Sequence, residues 1–341
     1  MYKKQIQKLF LLLLIFIFFI ITANYLIDPY GYNSKDGKFI KNLTMFNKPN
    51  VTSARINSKG FYYLIGSSRM ARVNPLLIED ITDKNTHNIK IDGATLVENL
   101  ELAEKVKKEG KFFIYSFDAF SLNKSREKFK ELENRSLIYK KELNRKRFFT
   151  KYFNSDISIR SIQHLIKSFK SENLLKQFDE ENSRSDEFLY DLAVKNTGIN
   201  NDISKANFSN YHTYSSEIIK LANLGTKNDI FIIFPKYVSF YALFSNFQDI
   251  QNKYLKAIRN LVLNTDAKVW SFYGANEITK ETNNFIDNGW HFKPKVSNMI
   301  FREVFDNDES SSMKNGVLLT KDNIDDYLNT IKSNVDNLSL N

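Results

Sequence analysis

A run of five apolar or aromatic residues at positions 61–65 is the feature that most restricts how this chain can fold. Because the run carries no charge, it predicts a parallel β-strand that is buried on both faces. The glycine and two serines that follow, at 66–68, predict a tight turn. Asn74 followed by Pro75 predicts the N-cap and the first position of a helix. The stretch therefore predicts a strand, a turn and a helix in succession, the repeating unit of α/β folds.

Similar units recur on both sides of a charged region. Short apolar runs predict further strands at 88–91, 112–117, 230–234 and 267–272. Apolar residues at helical spacing predict helices at 96–108, 215–223, 250–263, 295–305 and 321–335. We therefore expect an α/β fold with a doubly wound parallel sheet of about five strands. The charged region, residues 124–207, predicts a helical insertion whose alternating Lys and Glu residues are typical of a solvated face.

The N-terminus predicts a membrane segment. A basic tail, residues 1–8, contains three lysines, and residues 9–27 form an apolar run whose only strongly polar residue is Asn24. That run is close to the ~20 residues that cross a bilayer. The lysines predict a single-pass protein with its N-terminus in the cytoplasm, so that everything after Asp28 lies on the outer side. The alternative is a cleaved signal peptide, although a small-residue cleavage site is poorly formed.

Residue counts exclude several kinds of site. The chain has no cysteine, which rules out disulfides, thiolate zinc sites and cysteine nucleophiles. Its four histidines are too scattered to form a recognisable metal motif, so neither a metal nor a cofactor is expected. The formal net charge of +10 indicates proximity to anionic lipid or an acidic polymer. Nucleic acid is not an expected partner, because the basic residues are spread along the chain without a recognition motif.

The candidate reactive group is a serine in the turn at 66–68. In open α/β sheets the ligand crevice lies beyond the carboxyl ends of the strands, where this turn is expected. Near the C-terminus, Asp287, Asn288 and His291 supply a base and an orienting partner of the kind that a serine nucleophile needs. The simpler interpretation is a structural turn and a buried, hydrogen-bonded histidine.

The order of these blocks resembles that of the SGNH (GDSL-like) hydrolase superfamily. The turn at 66–68 follows the first strand, Gly93 follows the second, a polar segment at 118–123 follows the third, and His291 precedes the last helix. The resemblance covers roughly residues 20–125 and 210–305. The apolar run followed by Asp-Pro-Tyr-Gly at 28–31 is similar to membrane-anchored bacterial relatives, such as alginate O-acetylation proteins and the teichoic-acid D-alanyl transfer protein.

This resemblance implies a three-layer, flavodoxin-like domain made of residues 61–123 and 208–306. A connecting segment at 28–60 would precede it, and a tail at 307–341 with one helix would follow it. The family nucleophile falls on Ser68 and the base on His291. The family acid normally lies three residues before the histidine, where this chain has Asn288. Asp287, one residue further back, could instead orient His291, and we favour Asp287 because an amide cannot stabilise an imidazolium charge as a carboxylate does.

The resemblance also implies an oxyanion hole. Its backbone donors would be the N–H groups of Ser68 and Gly93, since glycine allows a reacting carbonyl to approach closely. The third donor is normally an Asn after the third strand, where this chain has Asp118. An ionised Asp cannot donate a hydrogen bond, so either Asn123 provides the third donor or the hole has two donors.

The implied function is serine-dependent acyl-ester transfer or hydrolysis on a cell-envelope polysaccharide. Water as the acceptor would make the protein an esterase, and a sugar hydroxyl would make it an O-acetyltransferase. A membrane-embedded protein would supply the acyl group. The alternative is an SGNH-like envelope binding or assembly protein that has lost catalysis, which the residues at 118 and 288 favour.

Overall fold

The computed structural model of the chain describes residues 2–28, 60–91, 93–123, 152–170, 214–238, 248–286, 289, 291–305 and 315–339. Strands and helices alternate along most of these ranges. The strands are β1 (Tyr62–Ile65), β2 (Thr86–Asn88), β3 (Phe112–Ser116), β4 (Ile230–Ile233), β5 (Lys268–Ser271), β6 (Phe285–Ile286), β7 (His291–Phe292) and β8 (Val317–Leu319). The α-helices are α1 (Tyr2–Ile27), α2 (Pro75–Thr82), α3 (Leu96–Lys108), α4 (Ser155–Lys170), α5 (Ser215–Leu224), α6 (Gln248–Asn264), α7 (Glu277–Lys280), α8 (Pro294–Phe305) and α9 (Ile324–Ser339).

The main sheet has six strands in the order β2-β1-β3-β4-β5-β8. The first five are parallel to one another, and β8 pairs antiparallel with β5. The α/β class and the mostly parallel sheet are confirmed, with six strands where about five were expected. From β1 the chain adds β2 on one side and β3 on the other, so the order reverses between β1 and β3. A ligand crevice is expected at such a reversal, beyond the carboxyl ends of the strands.

Helices pack on both faces of this sheet. Side chains alternate between the two faces of a strand, so Tyr63 and Ile65 enter one apolar cluster and Leu64 enters the other. The first cluster contains side chains of α3, α5, α6 and α9, and the second contains side chains of α2 and α8. Burial on both faces explains why the strands are uninterrupted apolar runs.

The predicted start of α2 is present in the structure. Asn74 is the N-cap, and its side-chain oxygen accepts a hydrogen bond from the Leu76 N–H at 3.1 Å, with Pro75 as the first helical residue. Strand β2 begins two residues before the predicted 88–91. Pairing with β1 nevertheless continues beyond it, because Ile89 N–H donates to Leu64 O and Ile91 N–H to Gly66 O, both at 3.0 Å.

The C-terminal segment belongs to the core of the domain. The sequence pattern missed β8, which is short and has two exposed residues out of three. The amphipathic helix predicted at 321–335 is α9, and it buries Ile324, Leu328 and Ile331 in the first cluster. Tyr327 Oη donates to the Tyr273 carbonyl oxygen at 2.8 Å, which fixes the helix beside the end of β5.

Helix α1 is 26 residues long, and most of its side chains are exposed. Within the described residues it is the one helix that is long and apolar enough to cross a membrane, and a signal sequence would have the same character. The connecting segment at 29–59 and most of the insertion predicted at 124–207 lie outside the described residues. The described part of that insertion, residues 152–170, contains α4.

A buried carboxylate joins β3 to β4. The Asp229 side chain is fully buried and accepts hydrogen bonds from the Phe113 N–H at 2.8 Å and from Lys107 Nζ at 2.6 Å. It also accepts from the N–H and the hydroxyl of Thr226. Each of these donors would lose a charged acceptor if the carboxylate were removed.

We expect Asp229→Asn to lower the free energy of unfolding by about 3 kcal/mol, because breaking a buried ion pair leaves Lys107 without its counter-ion. Urea unfolding of the detergent-solubilised chain would measure the loss. The matched control is Asp325→Asn, which removes an exposed pair with Arg259 and should change little. Equal losses in the two variants would contradict the role of Asp229.

Candidate functional site

The structure brings Ser68 and His291 together although they are 223 residues apart in sequence. The Ser68 Oγ lies 2.8 Å from His291 Nε2, which is hydrogen-bonding distance. Both residues are partly exposed, so a substrate can reach them. A hydroxyl in contact with an imidazole is the arrangement that activates a serine nucleophile.

Ser68 is held by the turn that leaves β1. Gly66 permits this turn, because a Cβ at that position would lie 2.7 Å from the Cβ of Ser116 at the end of β3. The turn then closes into a 3₁₀ segment at Met70–Arg72, where the Met70 N–H donates to Ser67 O at 3.0 Å. Asn88 Nδ2 donates to Met70 O at 2.9 Å, which attaches the same turn to β2.

His291 is held by the β6–β7 hairpin. Ile286 pairs with His291 and Phe285 pairs with Phe292 across this hairpin. The buried Phe292 ring packs 4.8 Å from the Phe234 ring, measured between centroids, at the carboxyl end of β4. The hairpin therefore presents the histidine from the core rather than from an exposed loop.

Helix α8 connects the two halves of the site. It begins three residues after His291, and Ser297 Oγ donates to the Arg72 carbonyl oxygen at 2.9 Å. Arg72 ends the 3₁₀ segment that follows Ser68. This contact attaches α8, which follows His291, to the segment that follows Ser68.

The two candidates for orienting His291 lie outside the described residues. Asp287 and Asn288 occupy the connection between β6 and β7, directly after Ile286. The preference for Asp287 over Asn288 therefore stays a prediction.

The two backbone donors expected for an oxyanion hole lie in neighbouring turns. The bond from Ile91 N–H to Gly66 O places the turn containing Gly93 beside the turn containing Ser68. Gly93 has a φ of +66°, a left-handed conformation that favours glycine. Within the described part of the chain, the N–H groups of Ser68 and Gly93 donate no hydrogen bond, so both are available to a ligand.

Asp118 is engaged elsewhere. Its carboxylate forms a buried ion pair with Arg69 and lies 3.8 Å from Lys236 Nζ. It also accepts a hydrogen bond from the Phe120 N–H at 3.1 Å, which caps the 3₁₀ turn Ala119–Leu122. Asn123 ends that turn and is almost fully buried, and its role as a third oxyanion donor stays a prediction.

The sequence reasoning missed the two cations beside Asp118. Arg69 directly follows Ser68, and Lys236 lies three residues after the end of β4, so both occupy the carboxyl edge of the sheet. Position just beyond a strand end was the signal that could have identified them. Both side chains are buried over the Phe120 ring, with Arg69 Cζ at 5.3 Å and Lys236 Nζ at 4.6 Å from its centroid.

These contacts also fix the direction of the two serine hydroxyls. Ser67 is buried, and its hydroxyl donates to Asp118 Oδ2 at 3.5 Å, whereas the Ser68 hydroxyl contacts His291. Three buried ionisable residues, Arg69, Asp118 and Lys236, thus form a cluster behind the turn. Burial, and secondarily the nearby Arg69 guanidinium, lowers the pKa of Lys236 well below its ordinary value of 10.5.

Comparisons of the chain with family models, with curated proteins and with solved structures found no match. The site is therefore interpreted from its own geometry.

We expect the lowered pKa of Lys236 to make folding stability rise with pH. Between that lowered pKa and 10.5, the unfolded chain binds more protons than the folded protein, so alkaline conditions stabilise the fold. Lys236→Met should remove this rise. Urea midpoints of the detergent-solubilised protein across that range would show it, with exposed Lys227→Met as the control that keeps the wild-type slope. Parallel curves for wild type and Lys236→Met would refute the expectation.

Proposed function

We propose that this chain is a membrane-anchored, serine-dependent acyl-transfer protein that acts on acyl esters of a cell-envelope polysaccharide. The contact of 2.8 Å between Ser68 Oγ and His291 Nε2, at the carboxyl end of a parallel sheet, is the observation that carries the proposal. This contact supplies a nucleophile and a general base, the two groups that acyl transfer through a serine requires.

In the first step, Ser68 Oγ would attack the acyl carbonyl carbon while His291 Nε2 takes the hydroxyl proton. The tetrahedral intermediate would collapse with His291 returning that proton to the departing alcohol oxygen, which leaves the acyl group on Ser68. An acceptor hydroxyl would then attack the acyl-serine, with His291 again taking and returning the proton. Water as the acceptor gives an esterase, and a sugar hydroxyl gives an O-acetyltransferase.

The negative charge that develops on the carbonyl oxygen would be stabilised by the backbone N–H groups of Ser68 and Gly93. Neither N–H donates to another described group, so neither would have to give up a hydrogen bond before it binds the oxyanion.

The architecture supports the resemblance to SGNH hydrolases. Strands β2-β1-β3-β4-β5 follow the flavodoxin-like order, and helices pack on both faces. Ser68 follows β1, and Asp118 follows β3, the two strands between which the order reverses.

Helix α1 supports the location of the substrate. As a retained single-pass anchor with its lysines in the cytoplasm, it would hold the α/β domain on the outer or periplasmic side of the cytoplasmic membrane. The substrate there would be an acylated envelope polysaccharide, and a membrane-embedded partner would deliver the acyl group.

A second candidate is an envelope binding or assembly protein that keeps the fold without the reaction. The engagement of Asp118 favours it, because this residue stands where the family has a third oxyanion donor and is instead paired with Arg69. A binding protein would still use the crevice between β1 and β3.

Labelling by a fluorophosphonate probe separates the two candidates, since such a probe reacts with an activated serine. We expect the detergent-solubilised protein to label, Ser68→Ala to lose labelling, and Ser67→Ala to keep most of it. The reason is that the Ser67 hydroxyl donates to Asp118 and does not contact His291. No labelling of the folded wild-type protein would support the binding protein, and labelling that persists in Ser68→Ala would refute the nucleophile.

The orienting residue can be assigned by kinetics. If Asp287 orients His291, Asp287→Asn should lower kcat for ester hydrolysis by up to about 10⁴-fold, as the same change does in a serine protease triad. Asn288→Ala should then cost far less. The reverse ranking would assign Asn288, and no loss in either variant, with Ser68→Ala inactive, would show that His291 is not the base.

A further inference from the structure

Helix α4 packs against the end of α1. Asn24 Nδ2 donates to the Tyr152 carbonyl oxygen at 2.7 Å and to Ser158 Oγ at 2.9 Å. The rings of Tyr25 and Tyr152 meet edge to face, with their centroids 5.3 Å apart. The contact is therefore specific and lies near the last turn of the candidate membrane helix.

The position of this contact sets the depth of α4. Asn24 is three residues before the end of α1 at Ile27, roughly 4.5 Å along the helix axis. Ile21, one turn deeper in the apolar run, is also buried in the structure. If α1 crosses the bilayer, α4 lies at the level where acyl chains meet headgroups, the depth of roughly 5–10 Å at which interfacial helices bind.

Helix α4 has a buried stripe and an exposed apolar stripe. Ile157 and Ser161 are buried. Ile159, Ile162 and Ile166, spaced three and four residues apart on one face, are 55%, 57% and 49% exposed. Gln163, four residues after Ile159, borders this stripe, and Arg160 lies further round the helix. Three adjacent exposed isoleucines are unusual on a surface that faces water.

The length and charge of α4 exclude a second membrane span. It has 16 residues and carries Asp156 and Arg160 in its first half, whereas a span needs ~20 mostly apolar residues. An amphipathic helix at this depth lies in the plane of the membrane instead.

We propose that α4 is an interfacial helix whose Ile159, Ile162 and Ile166 side chains are buried among the acyl chains of the outer leaflet. The inference rests on the membrane anchoring in the proposed function and not on its chemistry. Lipid is the occupant because α4 packs against the end of α1, whose exposed Phe18 and Phe19 would face the same acyl chains.

Single-cysteine labelling of the full chain tests this, since the chain has no cysteine of its own. Ile159→Cys, Ile162→Cys and Ile166→Cys would each carry an environment-sensitive fluorophore in vesicles of phosphatidylethanolamine and phosphatidylglycerol. Arg160→Cys is the matched control on the polar side of α4, Phe18→Cys the control in the span, and Lys227→Cys the control in the α/β domain. Nitroxide lipids and aqueous iodide would serve as the two quenchers, after thermal unfolding has shown that each variant is folded.

We expect blue-shifted emission and severalfold stronger lipid quenching at the three isoleucine positions than at Arg160→Cys, with Lys227→Cys quenched only by iodide. If the isoleucine positions are quenched by iodide like Arg160→Cys while Phe18→Cys is quenched by lipid, the interfacial helix is refuted and the anchor stands. If Phe18→Cys is not quenched by lipid, the anchor and the inference both fail. If the stripe is shielded from both quenchers, it contacts protein, which also overturns the proposal.

Discussion

The close approach of two strand ends is the constraint on which the candidate site depends. Gly66 leaves β1 so near the end of β3 that a Cβ would lie 2.7 Å from that of Ser116. This proximity lets Ser67 and Arg69 reach Asp118 beyond β3, while the Ser68 hydroxyl contacts His291. Ser67 and Arg69 thus attach the turn to the segment that follows β3, and Ser68 between them contacts the β6–β7 hairpin. A serine held in this way is preorganised, which is what a positioned nucleophile requires.

Forming this turn requires the burial of ionisable side chains. Moving an ion out of water costs several kcal/mol even after relaxation, and here Arg69, Asp118 and Lys236 are all buried. The Phe120 ring beneath Arg69 and Lys236 offsets part of that cost through cation–π contact. Apolar side chains at positions 69, 118 and 236 would avoid this cost. The contacts of the ionisable residues instead position the turn, because Arg69 and Ser67 both contact Asp118.

The sequence predicted those parts of the fold that depend on local pattern. Buried parallel strands are apolar runs, and α3 begins and ends at the predicted residues 96 and 108. Strand β8 was missed because an edge strand of three residues has no distinctive pattern.

Ser68 and His291 were proposed from block order, and the structure places them in contact. Arg69 and Lys236 were missed because a charged residue after a strand usually faces solvent, and only the tertiary fold shows that these two are buried around Asp118. Asp118 itself shows the limit of transferring a family position, since its carboxylate is paired rather than available.

Asn24 bears on whether α1 is an anchor or a removable leader. An amide in an apolar run is costly in hydrocarbon unless its polar atoms have partners. Asn24 finds them in the Tyr152 carbonyl and the Ser158 hydroxyl, both more than a hundred residues further along the chain. A leader that is removed after translocation gains nothing from tertiary partners in the mature protein, whereas a retained helix does. The pairing of Asn24 with Tyr152 and Ser158 therefore favours retention, and it makes the end of α1 part of the folded structure.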